Sequence, residues 1–201
     1  MALGLGASLN RTGLVTPGIV TDNLVMKHMY PAGAVQPVSD GAAYFGGAGT
    51  EDRITITETE FSVHDAAHTF AFWAKRNVLG VSHTILGHTS VSTHKRLTID
   101  SSNNFLIESD TDGDAATVTL NTVDTEWHHY ALTVTGSGST IVAYQDGVLC
   151  SDSGDVASNN MTINIIGAAD SGGTEKEFDG YLCNIGIWEA VLTQPQVKSI
   201  M

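Results

Sequence analysis

Apolar and polar side chains alternate with a period of two in one segment of this chain after another. Thr69-Phe70-Ala71-Phe72-Trp73-Ala74-Lys75, Trp127-His128-His129-Tyr130-Ala131-Leu132-Thr133-Val134, Arg53-Ile54-Thr55-Ile56-Thr57 and Ala116-Thr117-Val118-Thr119-Leu120 all carry it. Neighbouring residues of a strand point to opposite faces, so this alternation predicts half-buried β-strands. Shorter apolar runs at Ala42–Gly46, His83–Gly87, Arg96–Asp100, Phe105–Glu108, Thr140–Asp146, Met161–Ile166 and Phe178–Trp188 predict more of them. Many short strands separated by turn residues at close intervals predict a sandwich or a barrel. Asp146-Gly147 lies between Tyr144-Gln145 and Val148-Leu149. That pair predicts a tight hairpin, because both residues tolerate positive φ. Gly136-Ser137-Gly138-Ser139 predicts a second hairpin loop. Only the tail, Thr193–Ile200, reads as a helix, with Thr193 as cap and Pro195 in the first turn.

The first forty residues break this pattern. Residues 1–40 hold Pro17, Pro31 and Pro37, three of the four prolines, and one apolar run, Asn23-Leu24-Val25-Met26. Proline removes a backbone donor and fixes φ, which disfavours helix and central strand. The expectation is an extended arm over 1–40, with one short strand around residues 23–28, followed by a compact domain over 41–201. Two readings of the arm stay open: a lid on the domain's own sheet, or a strap to another subunit.

Composition narrows the class. The 201 residues suit one domain, long enough to bury about 70% of the unfolded surface without a staple. Charged residues make up only 15%, and 21 glycines suit short strands and many turns rather than surface helices. Nine basic residues against 22 acidic give a net charge of −13. Such a chain repels phosphate backbones and anionic membrane surfaces, so nucleic acid is not an expected partner. No run approaches 18 apolar residues, so no membrane insertion is expected. The opening Met-Ala-Leu-Gly-Leu-Gly lacks a basic start, which predicts use without leader cleavage or export by a route not visible here. Cys150 and Cys183 sit beside apolar neighbours and read as buried free thiols; pairing requires that their strands be adjacent.

Five segments in order resemble a family. They are Ala43-Tyr44-Phe45-Gly46-Gly47, Thr69–Trp73, Trp127–Ala131, Tyr144-Gln145-Asp146-Gly147, and Phe178-Asp179-Gly180-Tyr181 through Trp188 with Leu192-Thr193. Over residues 42–201 the chain resembles the laminin G-like branch of the concanavalin A-like lectin/glucanase superfamily. The resemblance implies an all-β fold: an antiparallel two-sheet jelly-roll sandwich, here with an N-terminal arm and a short C-terminal helix. It implies core anchoring by Phe70, Phe72, Trp73, Trp127 and Trp188. Gly18–Val25 and Asn184–Trp188 look more narrowly like laminin G-like proteins of tailed, marine bacteriophages. That likeness implies a virion protein, a capsid decoration or surface appendage, whose partners are other virion proteins or copies of itself.

Candidate chemistry is sparse. A retaining glycosidase needs two carboxyls about 5–5.5 Å apart. The glucanases of this fold carry them as Glu-x-Asp-x-(x)-Glu, which is absent; Glu58-Thr59-Glu60 and Glu175-Lys176-Glu177 are the nearest pairs. The chain is therefore expected not to be an enzyme. Asp110-Thr111-Asp112-Gly113-Asp114 places three hard oxygen ligands within five residues, which suits Ca²⁺ or an acidic hairpin turn. The family resemblance implies a rim Ca²⁺, but its acidic residue in the final strand is replaced by Cys183 or Asn184, and no cofactor is expected. His83, His88 and His94 match no zinc spacing, and His128 and His129 must point to opposite faces. For a carbohydrate-binding module, the aromatics offered to cell-surface glycans are Tyr44, Tyr144 and Tyr181. The primary expectation is a structural virion protein; the alternative is a free-standing lectin-like module.

Overall fold

The computed structural model describes residues 24–28, 41–50, 52–63, 65–90, 96–108, 116–136, 140–150, 153–155, 160–169 and 176–201. The strands in chain order are β1 Leu24–His28, β2 Ala43–Gly46, β3 Ile54–Phe61, β4 His68–Arg76, β5 His83–Gly87, β6 Arg96–Ile99 and β7 Asn104–Glu108. They continue with β8 Ala116–Thr119, β9 Trp127–Val134, β10 Thr140–Gln145, β11 Val148–Leu149, β12 Ser153–Asp155, β13 Met161–Ile166 and β14 Asp179–Trp188. A single described helix, α1 Gln194–Ser199, follows. The arm expected over 1–40 and the boundary at 41 lie outside the described residues, apart from β1.

The strands form two sheets. The first has eight, running β1-β14-β4-β9-β10-β11, with β12 also on β10 and β2 also on β14. The second has six, running β3-β13-β5-β6-β7-β8. All pairings are antiparallel. This is the two-sheet jelly-roll sandwich that the alternating pattern and the family resemblance imply.

One apolar layer joins the two sheets. Phe70, Phe72, Tyr130, Leu132 and Leu182 of the first sheet belong to the same buried cluster as Ile85, Leu97, Phe105, Ile107 and Val118 of the second. Phe72 meets Phe105 edge-on at 5.7 Å between ring centroids, and both approach Tyr130 at 5.6 and 6.1 Å. Tilted and edge-on pairings put positive ring edges toward negative faces.

The tight turn falls where the sequence places it. Gln145 pairs with Val148, so Asp146-Gly147 is a two-residue loop, and their φ values of 52° and 69° make it type I′. The helix also falls in place, its start closed by the Thr193 N–H donating to Gln196 Oε1 at 2.8 Å.

The expected role of the tryptophans needs correction. Phe70 and Phe72 are core anchors, but Trp73 and Trp127 are not. Trp73 lies on the phase of β4 opposite to Phe70, Phe72 and Ala74, and Trp127 on the phase of β9 opposite to Tyr130, Leu132 and Val134. Both are half-buried on the outer face of the first sheet. Trp188 is buried, but in a separate cluster on that face, with Ala71, Ala131, Leu192 and Val197. The cysteines are free: Cys150 is buried after β11 and Cys183 is half-buried on β14, four strand positions away across the sheet. Burial raises both thiols above their ordinary value.

Candidate functional site

The outer face of the first sheet divides in two. At one end Gly186, Ala71 and Ala131 are cross-strand neighbours on β14, β4 and β9. Their small side chains leave a shallow bed, and α1 fills it with Leu192 and Val197, with Tyr144 and Ile200 packed at the margin. A Cβ on Gly186 would lie 2.5 Å from the Trp188 ring, so the indole folds over a position that only glycine leaves vacant.

At the other end the face is not covered by the helix, and it is aromatic. Register places Tyr44 of β2 opposite Tyr181 of β14, Tyr181 opposite Lys75 of β4, and Lys75 opposite Trp127 of β9. These four side chains form one row across four strands. The Tyr44 and Tyr181 rings are 5.0 Å apart at 45°, and Trp127 reaches over β4 to Tyr181 at 6.1 Å and 43°. Tyr44 is 44% exposed, the highest value for any aromatic ring in the row, and the other three are half-buried. Lys75 is held toward exposed Glu126, Nζ to Oε2 3.8 Å. The row behind holds Cys183, Trp73 and His129, with Trp73 against the His129 ring at 5.5 Å. His129 is buried with its Nδ1 unpartnered, and desolvation lowers its pKa to about 4, so it is neutral around pH 7.

His128 occupies the other face of β9, as strand alternation requires. It contacts Tyr130 in the interior, while Asp146 Oδ2 lies 2.6 Å from its Nδ1 and Asp124 Oδ1 lies 2.8 Å from its Nε2. Burial pulls its pKa down, but the hydrogen bonds to Asp146 and Asp124 outweigh burial and leave it above the ordinary value. Asp146 Oδ1 also accepts the His129 N–H at 2.9 Å. This arrangement fixes the hairpin end of the sheet; it is an interior brace.

The three tyrosines singled out from sequence separate. Tyr44 and Tyr181 come together; Tyr144 lies on the same face but packs at the edge of the helix cluster. Trp127 and Lys75 complete the open row and Trp73 stands in the row behind; the sequence reading puts both tryptophans in the core and gives Lys75 no role. The signal was present: the interior phase of β9 is set by Leu132 and Val134, which puts Trp127 outside. Asp110, Asp112 and Asp114 lie outside the described residues, as does His94. Among the described residues no three His, Cys, Asp or Glu side chains stand close enough to hold a metal. On β14, Cys183 faces outward beside Trp73 and Asn184 is an exposed bulge residue at φ 52°, so neither supplies a carboxylate where the family resemblance implies one; the carboxylate of this strand, Asp179, stands at its start and accepts from Asn77. The nearest carboxylate pair, Glu58 and Glu60 on β3, is engaged elsewhere: Glu58 Oε2 stands 3.0 Å from His88 Nε2, and Glu60 Oε1 accepts from Asn160 at 2.7 Å.

A two-layer antiparallel β-sandwich of this kind is a concanavalin A-like architecture. The chain belongs to the concanavalin A-like lectin/glucanases superfamily, whose laminin G-like model matches residues 48–198. Solved structures share the fold at low identity. A native heptameric SAP-like pentraxin from Limulus polyphemus aligns at a TM-score of 0.55 with 16% identity, over 78% of this chain and 79% of that one. The CBM40 of the Ruminococcus gnavus IT-sialidase, bound to α2,6-sialyllactose, aligns at 0.56 with 12% identity, over 88% and 98%. The receptor-binding domain of botulinum neurotoxin C/D mosaic serotype aligns at 0.58 with 12% identity, over 89% and 51%. No curated protein matches the sequence significantly.

Proposed function

We propose that this chain is a non-catalytic, lectin-like module that binds glycans on the open end of its first sheet. The observation that carries the reading is the row Tyr44–Tyr181–Trp127, three rings on one face that α1 leaves uncovered among the described residues, with Lys75 between two of them. Aromatic rings present flat apolar area at low entropic cost, which suits the C–H face of a sugar, while the tyrosine hydroxyls and Lys75 offer donors at the margin. The carbohydrate-binding neighbour adds support at the level of fold. Glu58 and Glu60 lie on the second sheet and are committed to His88 and Asn160, so the reading is one of binding rather than hydrolysis.

The test is isothermal titration against a panel of soluble oligosaccharides. Saturable binding is expected, weakened at least about tenfold by Trp127→Ala or Tyr44→Ala while the circular dichroism spectrum stays unchanged. A panel without any binding partner, or variants that bind as well as the parent chain, overturns the reading.

The virion setting is a separate proposal supported by the sequence resemblance of Gly18–Val25 and Asn184–Trp188 to phage proteins. In it the module sits on a tailed-phage particle, held by other virion proteins or copies of itself, and offers the aromatic row to host glycans. Antibody labelling of purified particles tests it; an unlabelled particle removes it.

A further inference from the structure

Beside the aromatic row, toward the start of β14, lies a cavity of about 370 Å³. Its walls come from the turn after β2, the β4–β5 loop and the segment leading into β14. Its lining is apolar at Ala48, Val78 and Val81 and polar at Ser82, Lys176, Glu177 and Asp179. Hydrogen bonds hold these walls in place. The His83 ring accepts the Asp179 N–H through Nδ1 at 3.2 Å, and its Nε2 lies 3.0 Å from the Val78 carbonyl. Asn77 donates to Asp179 Oδ1 at 2.8 Å, and the Thr84 N–H donates to the Lys176 carbonyl at 2.9 Å.

Glu177 is the unusual member. It is 4% exposed, and Oε2 accepts the Gly49 N–H at 2.7 Å. Its other oxygen, Oε1, is buried without any hydrogen-bond partner. A buried carboxylate oxygen left unfilled is costly, so this one is an acceptor for a donor brought from outside. In the same lining, Val78 and Val81 are 40% and 45% exposed, an apolar surface that water does not satisfy.

The cavity adjoins the row through Asp179. Asp179 precedes Tyr181 by two residues on β14, so both side chains share the outer face about 7 Å apart. We infer that the cavity seats one uncharged sugar residue of a glycan whose neighbouring residues stack on Tyr44, Tyr181 and Trp127. Sugar hydroxyls donate to Glu177 Oε1 and Asp179, and the ring's C–H face meets Val78 and Val81. Two carboxylates against the single ammonium of Lys176 leave the cavity anionic, which rejects sialic and uronic acids. A metal ion is the poorer occupant: only two carboxylates line the cavity, one of them already bonded to Asn77, and Ala48, Val78 and Val81 in the same lining offer no side-chain ligand. This inference rests on the glycan reading above and adds the sugar class and the residues that select it.

The experiment compares cellotetraose, maltotetraose and tetra-N-acetylchitotetraose with sialyllactose and trigalacturonic acid, by titration on the full chain. The expected result is binding of at least one neutral probe at least about tenfold tighter than either acidic one. Glu177→Gln replaces the vacant acceptor by a donor and is expected to weaken that neutral probe at least about tenfold. Val81→Arg, at an exposed rim position where folding is not at stake, is expected to do the same by blocking entry. If Trp127→Ala abolishes binding while both cavity variants bind like the parent chain, the aromatic row stands and the cavity inference falls. Equal or tighter binding of an acidic probe overturns the inference as well. So does a rise in melting temperature with Ca²⁺ alone that Glu177→Gln removes, since the cavity is then a cation site. Absence of binding by every probe sinks both readings together.

Discussion

His128 and His129 are consecutive on β9, yet the first, on the inner phase, is held between two part-exposed carboxylates at the hairpin end, and the second is a neutral ring against Trp73 on the outer face with its Nδ1 unpartnered. Their titrations therefore pull stability in opposite directions.

Both nitrogens of His128 face carboxylates, and only the imidazolium can donate from both. Its folded pKa is raised above 6.5. The stability it contributes is fully present below about 6.5 and is lost as pH rises through the folded value. This contribution is thus expected to be larger at about pH 6 than at about pH 8.5, a slope that His129 and His83, both shifted the other way by burial, oppose in the whole chain. His128→Gln is expected to flatten that slope, with a loss at low pH of about 2–4 °C for each kcal/mol removed. Thermal melts across this range read it directly.

His129 behaves the other way. Its folded value of about 4 lies below the ordinary 6.5. Between those values the unfolded chain takes up a proton that the folded chain refuses, so stability falls as pH drops from about 6.5 to about 4. The gap corresponds to roughly 3 kcal/mol at most. His129→Leu is expected to remove this acid sensitivity while leaving the melting temperature near pH 7 within a few degrees. Acid melts that are identical for the two chains would refute the assignment.

Trp127 and Phe72 separate binding from folding. Phe72 is fully buried between the sheets, and truncation to Ala is expected to cost about 3–5 kcal/mol. Trp127→Ala removes a half-buried ring from the outer face, and a loss below about 1.5 kcal/mol is expected. Urea unfolding of the two variants provides the comparison. A larger loss for Trp127 would return it to the interior role that its sequence context suggests.

Gly180 marks a close approach. Its φ is 141°, and a Cβ there would stand 2.0 Å from the Lys75 carbonyl of β4. Gly180→Ala must push β14 from β4 in the middle of the first sheet, and a loss above about 3 kcal/mol or failure to fold is expected. Soluble yield and melting temperature decide it.

The layout of the sandwich was legible because it depends on local periodicity. β4, β9 and β13 follow from alternation or apolar runs, and the Asp146-Gly147 turn from its dipeptide alone. The edges were less so: β3 extends past Thr57 to Phe61, where polar Glu58 and Glu60 hide the pattern on a solvent-facing strand. β12, with only Ser153-Gly154-Asp155, carries no apolar signal. The aromatic row was half legible. Tyr44 and Tyr181 stand out by residue type, whereas a large ring such as Trp127 suggests burial, and only its phase against Leu132 on β9 turns it outward. Tyr144 packs for a tertiary reason that the sequence does not carry, since only the returning α1 makes that end of the face a packing surface. The Glu177 cavity had no local signature, because its walls are joined by the fold from three distant segments.

β14 has β4 along one side. Its opposite side is met by β2 at Asp179–Leu182 and by β1 at Ile185–Trp188, with the irregularity at Cys183 and Asn184 between them. The N-terminal segment is thus a structural member of the sheet through β1. Starting the polypeptide at residue 41 strips half of a ten-residue strand of its ladder partner and leaves free N–H and C=O groups beside Ile185 and Ile187. Such a naked margin recruits another molecule's strand, so a shortened preparation self-associates through β14.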